Sequence, residues 1–211
     1  MTLLRIVTLT LLFCSSFTFG QEGIPQLPAA AKSEVMKHCP SLKDSAEVAL
    51  GDLNGNGFDD IAAIVQCVEN GSVQNKIVVL MSTADGHYAF NAESVYWEPN
   101  MRRTEYISIK QKSIHITAST TSYTDYIGTS YKFVLRGGAF ILAGLDYSEG
   151  QIGDEGGNRI SANFLTKKII SRRKHSKNHI QQDSHEYLKN DYRIPLSKFS
   201  LEKTLDASSL R

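Results

Sequence analysis

Residues 129–136, TSYKFVLR, and residues 139–147, AFILAGLDY, carry apolar side chains at alternate positions, with Arg136-Gly137-Gly138 at their junction. Tyr131, Phe133 and Leu135 share one face of the first run, and Phe140 and Leu142 return on the second. A strand repeats its facing every second residue, whereas a helix does so about every 3.6. Alternation on both sides of a Gly-Gly turn therefore reads as a β-hairpin with one buried face.

The same period extends outward. EYISIK (105–110) places Ile107 and Ile109 together, SIHITAS (113–119) does so with Ile114 and Ile116, and Gln111-Lys112 turns between them. KIVVLMS (76–82) is a continuous apolar run that suits a buried strand. Ala84-Asp85-Gly86-His87 then turns the chain into YAFNAESVYW (88–97). EVAL (47–50) and IAAIVQC (61–67) flank a tight loop. Downstream, SEGQIGDEGGN (148–158) reads as a polar, glycine-rich loop. ISANFLTKKIIS (160–171) reads as a last strand, or as a bent pair turning near Thr166-Lys167. Only AAAKSEVMKH (29–38) suits a helix, and a brief one, before Cys39 and Pro40. The expected fold is α+β, mainly antiparallel β-sheet, in a single domain with a short N-terminal helix and a polar C-terminal tail.

The ends of the chain differ from this middle. Residues 1–20, MTLLRIVTLTLLFCSSFTFG, hold one positive charge, Arg5, then an apolar run from Ile6 to Phe13, then small and polar residues. That order is the pattern of a signal peptide, and the run is too short for a membrane span of about 18–20 residues. Phe13 precedes Cys14 where lipoprotein processing takes a small residue, which argues against lipid anchoring through Cys14. The domain then covers 21–170, and 171–211 forms a polar tail. RRKHSKNHIQQDSHEYLKNDYR (172–193) reads as an excursion, and Ile194, Leu196, Phe199 and Leu201 as an apolar end that docks back.

Removing residues 1–20 takes away a single charge and leaves 22 acidic side chains against an equal number of basic ones. A formally neutral chain is poorly suited to general polyanion binding, nucleic acid included. Cys39 and Cys67 remain. Two cysteines in an oxidising compartment read as one disulfide, the alternative being two free buried thiols. Closing that loop stabilises by roughly 3–4 kcal/mol on the chain-entropy estimate.

One motif carries chemistry. In GDLNGNGFDDIAAIV (51–65), Asp52, Asn54 and Asn56 alternate, Gly57 permits a sharp turn, and Asp60 closes the loop. Alternating side-chain oxygens on a turning chain, with the Phe58 carbonyl and water, can wrap calcium, which takes six to eight oxygen ligands. The twelfth position from Asp52 is Ala63, where an EF-hand needs glutamate, and the Lys-Ser/Thr pair of a phosphate loop is missing. This stretch resembles the calcium loop of the FG-GAP/VCBS repeats of integrin-like β-propellers. The resemblance implies Asp52, Asn54, Asn56, the Phe58 carbonyl and Asp60 as ligands. Asn56 stands where those repeats usually have Asp, which weakens binding. One loop without a repeat does not make a propeller. The wider layout is similar to a group of uncharacterised bacterial secreted or periplasmic proteins: one such loop, the strand at 76–80, the hairpin at 131–145, the segments 163–166 and 194–199. That similarity implies a periplasmic or secreted location and a fold type, and no activity. The loop itself admits three readings: a structural calcium staple, a turn that Asn and Gly hold without metal, and a calcium-dependent binding surface.

No G-x-S-x-G or H-E-x-x-H motif is present, and His185-Glu186 is followed by Lys at position 189. Asp146, Glu149, Asp154 and Glu155 flank the glycine-rich loop, and paired carboxylates serve glycosidic chemistry when held at the right separation. Tyr123, Tyr126 and Tyr131 lie among Ser and Thr, as tyrosines of binding surfaces do; ordinary strand tyrosines fit the same pattern. The reading is an exported binding protein that engages a protein or envelope component and carries a structural calcium loop. The alternative is an envelope hydrolase using loop carboxylates.

Overall fold

The structure is a computed structural model that describes residues 26–153, 156–174, 181–201 and 210. The signal-like residues 1–20 with Cys14, the acids Asp154 and Glu155, and His175 and His179 lie outside the described residues.

Alternating apolar residues build two antiparallel sheets. The first contains β1 (Leu42–Gly51), β2 (Asp60–Glu69), β3 (Ser72–Ser82) and β4 (Tyr88–Glu93) in sequence order. The second runs from β5 (Arg103–Lys110) through β6 (Ser113–Thr121), β7 (Asp125–Arg136), β8 (Ala139–Gln151), β9 (Gly157–Asn163) and β10 (Lys168–Lys174) to β11 (Gln181–Tyr187). Neighbours in space are neighbours in sequence throughout, as hairpin connections favour.

The near-continuous burial of β2 and β3 has a direct cause: both faces are covered. Ile61, Ala63, Val65, Val78 and Leu80 pack with Ala31 and Val35 of α1 (Ala29–His38). Ala62, Ile64, Ile77 and Val79 face the second sheet, in one core with Ile114, Ile116, Tyr131, Phe133, Phe140 and Leu142. The second sheet has a single covered face and alternates accordingly, for example around Ile114 and Ile116. Cys39, just after α1, is disulfide-bonded to Cys67 of β2 across a Cα–Cα distance of 5.6 Å. Lys76 is buried in β3 and closes the C-terminal end of α1: its ammonium donates to the His38 carbonyl at 2.5 Å and to Glu93 at 2.9 Å. Glu105 of β5 ties the two sheets together, accepting from the Trp97 indole at 3.1 Å, from Asn75 at 3.2 Å and from Arg103 at 2.7 Å.

Several sequence expectations change. Residues 172–174 and 181–187 are strand, not excursion: β10 continues to Lys174, and β11 pairs with it from Lys168↔Tyr187 to Lys174↔Gln181. All seven residues of β11 are exposed. It is an edge strand without a buried face, so its polarity hid it. The boundary at 170 falls inside β10. β8 extends to Gln151 and β9 begins at Gly157, so the glycine-rich loop is shorter than 148–158. β4 stops at Glu93, and Trp97 returns as an isolated bridge to Asn75. Beyond β11, Leu196, Phe199 and Leu201 are buried against the core. The Leu142 N–H donates to the Ile194 carbonyl at 2.8 Å, and the Phe199 ring meets Tyr131 and Phe133 edge-on at 5.0 Å.

Candidate functional site

The 52–60 loop joins β1 to β2 at the Gly51↔Asp60 pair. Leu53 is buried and pins the loop to the core, while residues 54–59 are exposed. Asp60 is fully buried. One of its oxygens accepts the Leu53 N–H at 2.8 Å; the other accepts the Ser82 N–H at 2.8 Å and hydroxyl at 3.1 Å. Asp52 accepts the N–H groups of Gly55 (2.5 Å), Gly57 (3.1 Å) and Asn56 (3.2 Å). Asn54 Oδ1 accepts the Asn56 N–H, and Asn56 Oδ1 the Phe58 N–H, both at 2.9 Å. Desolvation raises the Asp52 carboxyl, but these N–H donors and Lys112 outweigh it and hold it below the ordinary carboxylate range.

The structure thus brings Asp52, Asn54, Asn56, Phe58 and Asp60 into one turn, with the side-chain oxygens engaged by backbone N–H groups. Lys112, in the β5–β6 turn, lies against this loop so closely that a Cβ at Gly55 would overlap its Nζ. Among the described residues no three His, Cys, Asp or Glu side chains gather in a metal-binding group. The loop has two carboxylates, and its other donors are amide and carbonyl oxygens, which suit a hard cation in kind.

The three tyrosines part company. Tyr123 is fully exposed at the β6–β7 turn, Tyr126 is half-buried on β7, and Tyr131 is 1% exposed inside the core. Tyr131 therefore belongs to no surface, and burial pushes its phenol well above the ordinary range. It shares the parity of Phe133 on β7, which faces the first sheet, whereas Tyr126 has the opposite parity.

The carboxylates also divide by strand parity. Asp146 and Glu149 are three residues apart on one unbroken stretch of β8, so they point to opposite faces. Asp146 is exposed on the outward side. Glu149 is held by Asn158 at 2.7 Å and the Tyr147 hydroxyl at 2.6 Å, which lower its carboxyl. These two acids cannot flank one substrate, which removes the pair on which a hydrolase reading of β8 would rest.

That outward face carries a cleft of about 510 Å³. The register explains it. Thr117, Ser130, Asp146, Ser161 and Ile170 stand side by side across β6 to β10. The next outward row is Ser119, Gly128, Ser148, Arg159 and Arg172. Gly128, Ser130, Ser148 and Ser161 form the floor with Asp146 among them, and Tyr126, Ile170, Arg159 and Arg172 rise around it. Sequence reading found Tyr126 and placed Arg172 only in the 172–193 excursion. Its missing clue was the run of small outward residues at alternate positions of β7, β8 and β9, which shows only when three strands are aligned.

No family model, no curated protein and no solved structure matches this chain. Two antiparallel meanders sharing one core, with a helix on the smaller sheet, define its class. Among the described residues no helix is long and apolar enough to cross a membrane.

Proposed function

We propose that this chain is an exported, non-catalytic binding protein whose ligand site is the outward cleft of the seven-stranded sheet. The cleft itself is the observation that carries the reading. It is concave, of ligand size, lined by serine and threonine hydroxyls with two tyrosines, two arginines and Asp146, and built on strands rather than on loops. Export is supported by the signal-like start and by the Cys39–Cys67 disulfide, a bond typical of oxidising compartments. A component of the cell envelope suits this location as ligand.

The 52–60 loop belongs to the same reading as a structural element, in keeping with its resemblance to FG-GAP/VCBS loops. Calcium held by Asp52, Asn54, Asn56, Asp60 and the Phe58 carbonyl would supply positive charge that fixes the β1–β2 turn. Asp60 and Ser82 tie that turn to β3, away from the cleft residues.

Ser161→Trp tests the site, because Ser161 is exposed and a large ring there fills the cleft without entering the core. The expected result is loss of binding to isolated envelope polysaccharide with an unchanged melting temperature, while Asp52→Asn binds as the parent does. Undiminished binding by Ser161→Trp rejects the cleft as the site.

A further inference from the structure

Arg159 and Arg172 stand directly opposite one another in the β9–β10 register, both on the outward face. Like charges placed opposite across a ladder are unfavourable, so the arrangement calls for a counter-charge. Arg172 has one: Asp183 of β11 takes its Nε at 3.1 Å and an Nη at 3.0 Å. Arg159 is exposed, and its side chain has no ion-pair or hydrogen-bond partner among the described residues.

The cleft continues past these arginines into a second hollow of about 370 Å³, lined by Tyr126, Gly156, Gly157, Arg159, Arg172, Lys174 and Gln181. Tyr126, Arg159 and Arg172 border both compartments, so the two form one groove with a cationic waist. Asp146 lies in the other compartment, on the row of Ser130 and Ser161.

Tyr126 lies across β8 at Gly150. A Cβ there would sit 2.8 Å from Tyr126 Cε1 and 2.9 Å from its hydroxyl oxygen, so only glycine lets the ring rest on the backbone. A flat aromatic ring beside serine hydroxyls and arginines is the chemistry that holds a sugar ring: apolar face on the aromatic, hydroxyls on the polar floor, anion on guanidinium.

Resting on the binding reading above, we infer that the groove takes an acidic polysaccharide, its carboxylate, sulfate or phosphate placed between Arg159 and Arg172. Arg159 is the unsatisfied half of that pair and dominates charge selection. Tyr126 carries the sugar ring.

Isothermal titration of the full mature chain with oligogalacturonide, sulfated dextran fragments, neutral dextran fragments and single-stranded DNA separates the outcomes. The expected result is binding of one or both acidic glycans at least about tenfold tighter than neutral dextran, the loss of one charge-assisted contact in Arg159→Gln costing most of that margin. The two acidic glycans distinguish carboxylate from sulfate selection. Tyr126→Ala weakens acidic and neutral glycans alike. Equal binding of neutral and acidic glycans, unaffected by Arg159→Gln but lost in Ser161→Trp, overturns the acidic assignment and leaves the cleft as the site. DNA binding as tight as the glycans also overturns it. Binding that survives Ser161→Trp, or no binding to any glycan, overturns both.

Discussion

Asp60 and Ser82 are joined twice: a single carboxylate oxygen of Asp60 accepts both the Ser82 backbone N–H, at 2.8 Å, and the Ser82 hydroxyl, at 3.1 Å. Its other oxygen holds Leu53. One fully buried side chain thus fixes the entry of the loop, its exit and the neighbouring strand. Asp60→Ala leaves two backbone N–H groups without acceptors, and the expected cost is about 2–4 kcal/mol. Thermal unfolding reads this as a fall of roughly 4–16 °C. Asp52→Ala, whose bonds lie in the exposed part of the loop, is expected to cost less.

Lys112 bears on calcium. Its ammonium rests against Gly55 and favours the charged form of Asp52, so it competes with a bound cation for the same negative charge. A calcium series is expected to raise the melting temperature of the parent chain. For a site in the roughly 0.1–1 mM range of extracellular modules, calcium at ten times the dissociation constant is expected to add about 1.4 kcal/mol. Lys112→Met is expected to respond at lower calcium, and a variant lacking both Asp52 and Asp60 not at all. A parent chain whose melting ignores calcium and chelator alike shows a loop held by its own hydrogen bonds.

His115 gives a pH signature. It lies on the outward face of β6, where burial first, and then Lys132 and Lys110, push its imidazole below the ordinary value, with Asp146 opposing. The folded state then binds a proton less readily than the unfolded chain. The contribution of His115 to stability is complete above about pH 6.5, the unfolded value, and declines as pH falls from there toward the lowered folded value. His115→Gln is expected to flatten that part of the stability profile. An identical profile in urea titrations from pH 7.5 to 5 rejects the assignment.

Lys76 is the one buried cation among the described residues, lying 4.7 Å over the Tyr96 ring and bonded to His38 and Glu93. Lys76→Met keeps the apolar stem and removes the ammonium, leaving the His38 carbonyl without this donor and Glu93 with only the His38 imidazole, 3.5 Å away, and solvent beside it. The expected loss is about 2–4 kcal/mol, with increased amide exchange in α1 measured by hydrogen–deuterium exchange.

The fold was legible where burial imposes a pattern. Tyr131, Phe133 and Leu135 alternate because one face of β7 is covered, and the continuous run at 76–82 marked a strand covered on both. The helix at 29–38 matches its observed limits. β11 was hidden because an edge strand exposed on both faces imposes no pattern. Tyr131 misled because tyrosine is at home both in a core and on a surface. For the site, the Asp52–Asp60 spacing is local and therefore visible. The opposition of Arg159 and Arg172 depends on the register of β9 with β10, which no spacing along the chain expresses.

The measurement that bears most directly on the binding role is a backbone-amide chemical-shift map of the mature protein titrated with a short oligogalacturonide. The expected result is a set of perturbations centred on Gly128, Ser130, Ser148, Arg159 and Ser161, spreading to Gly150 beneath Tyr126. Perturbations confined to the 52–60 loop or to the Tyr123 turn, or none at saturating oligosaccharide, contradict the assignment of the outward cleft as the ligand site.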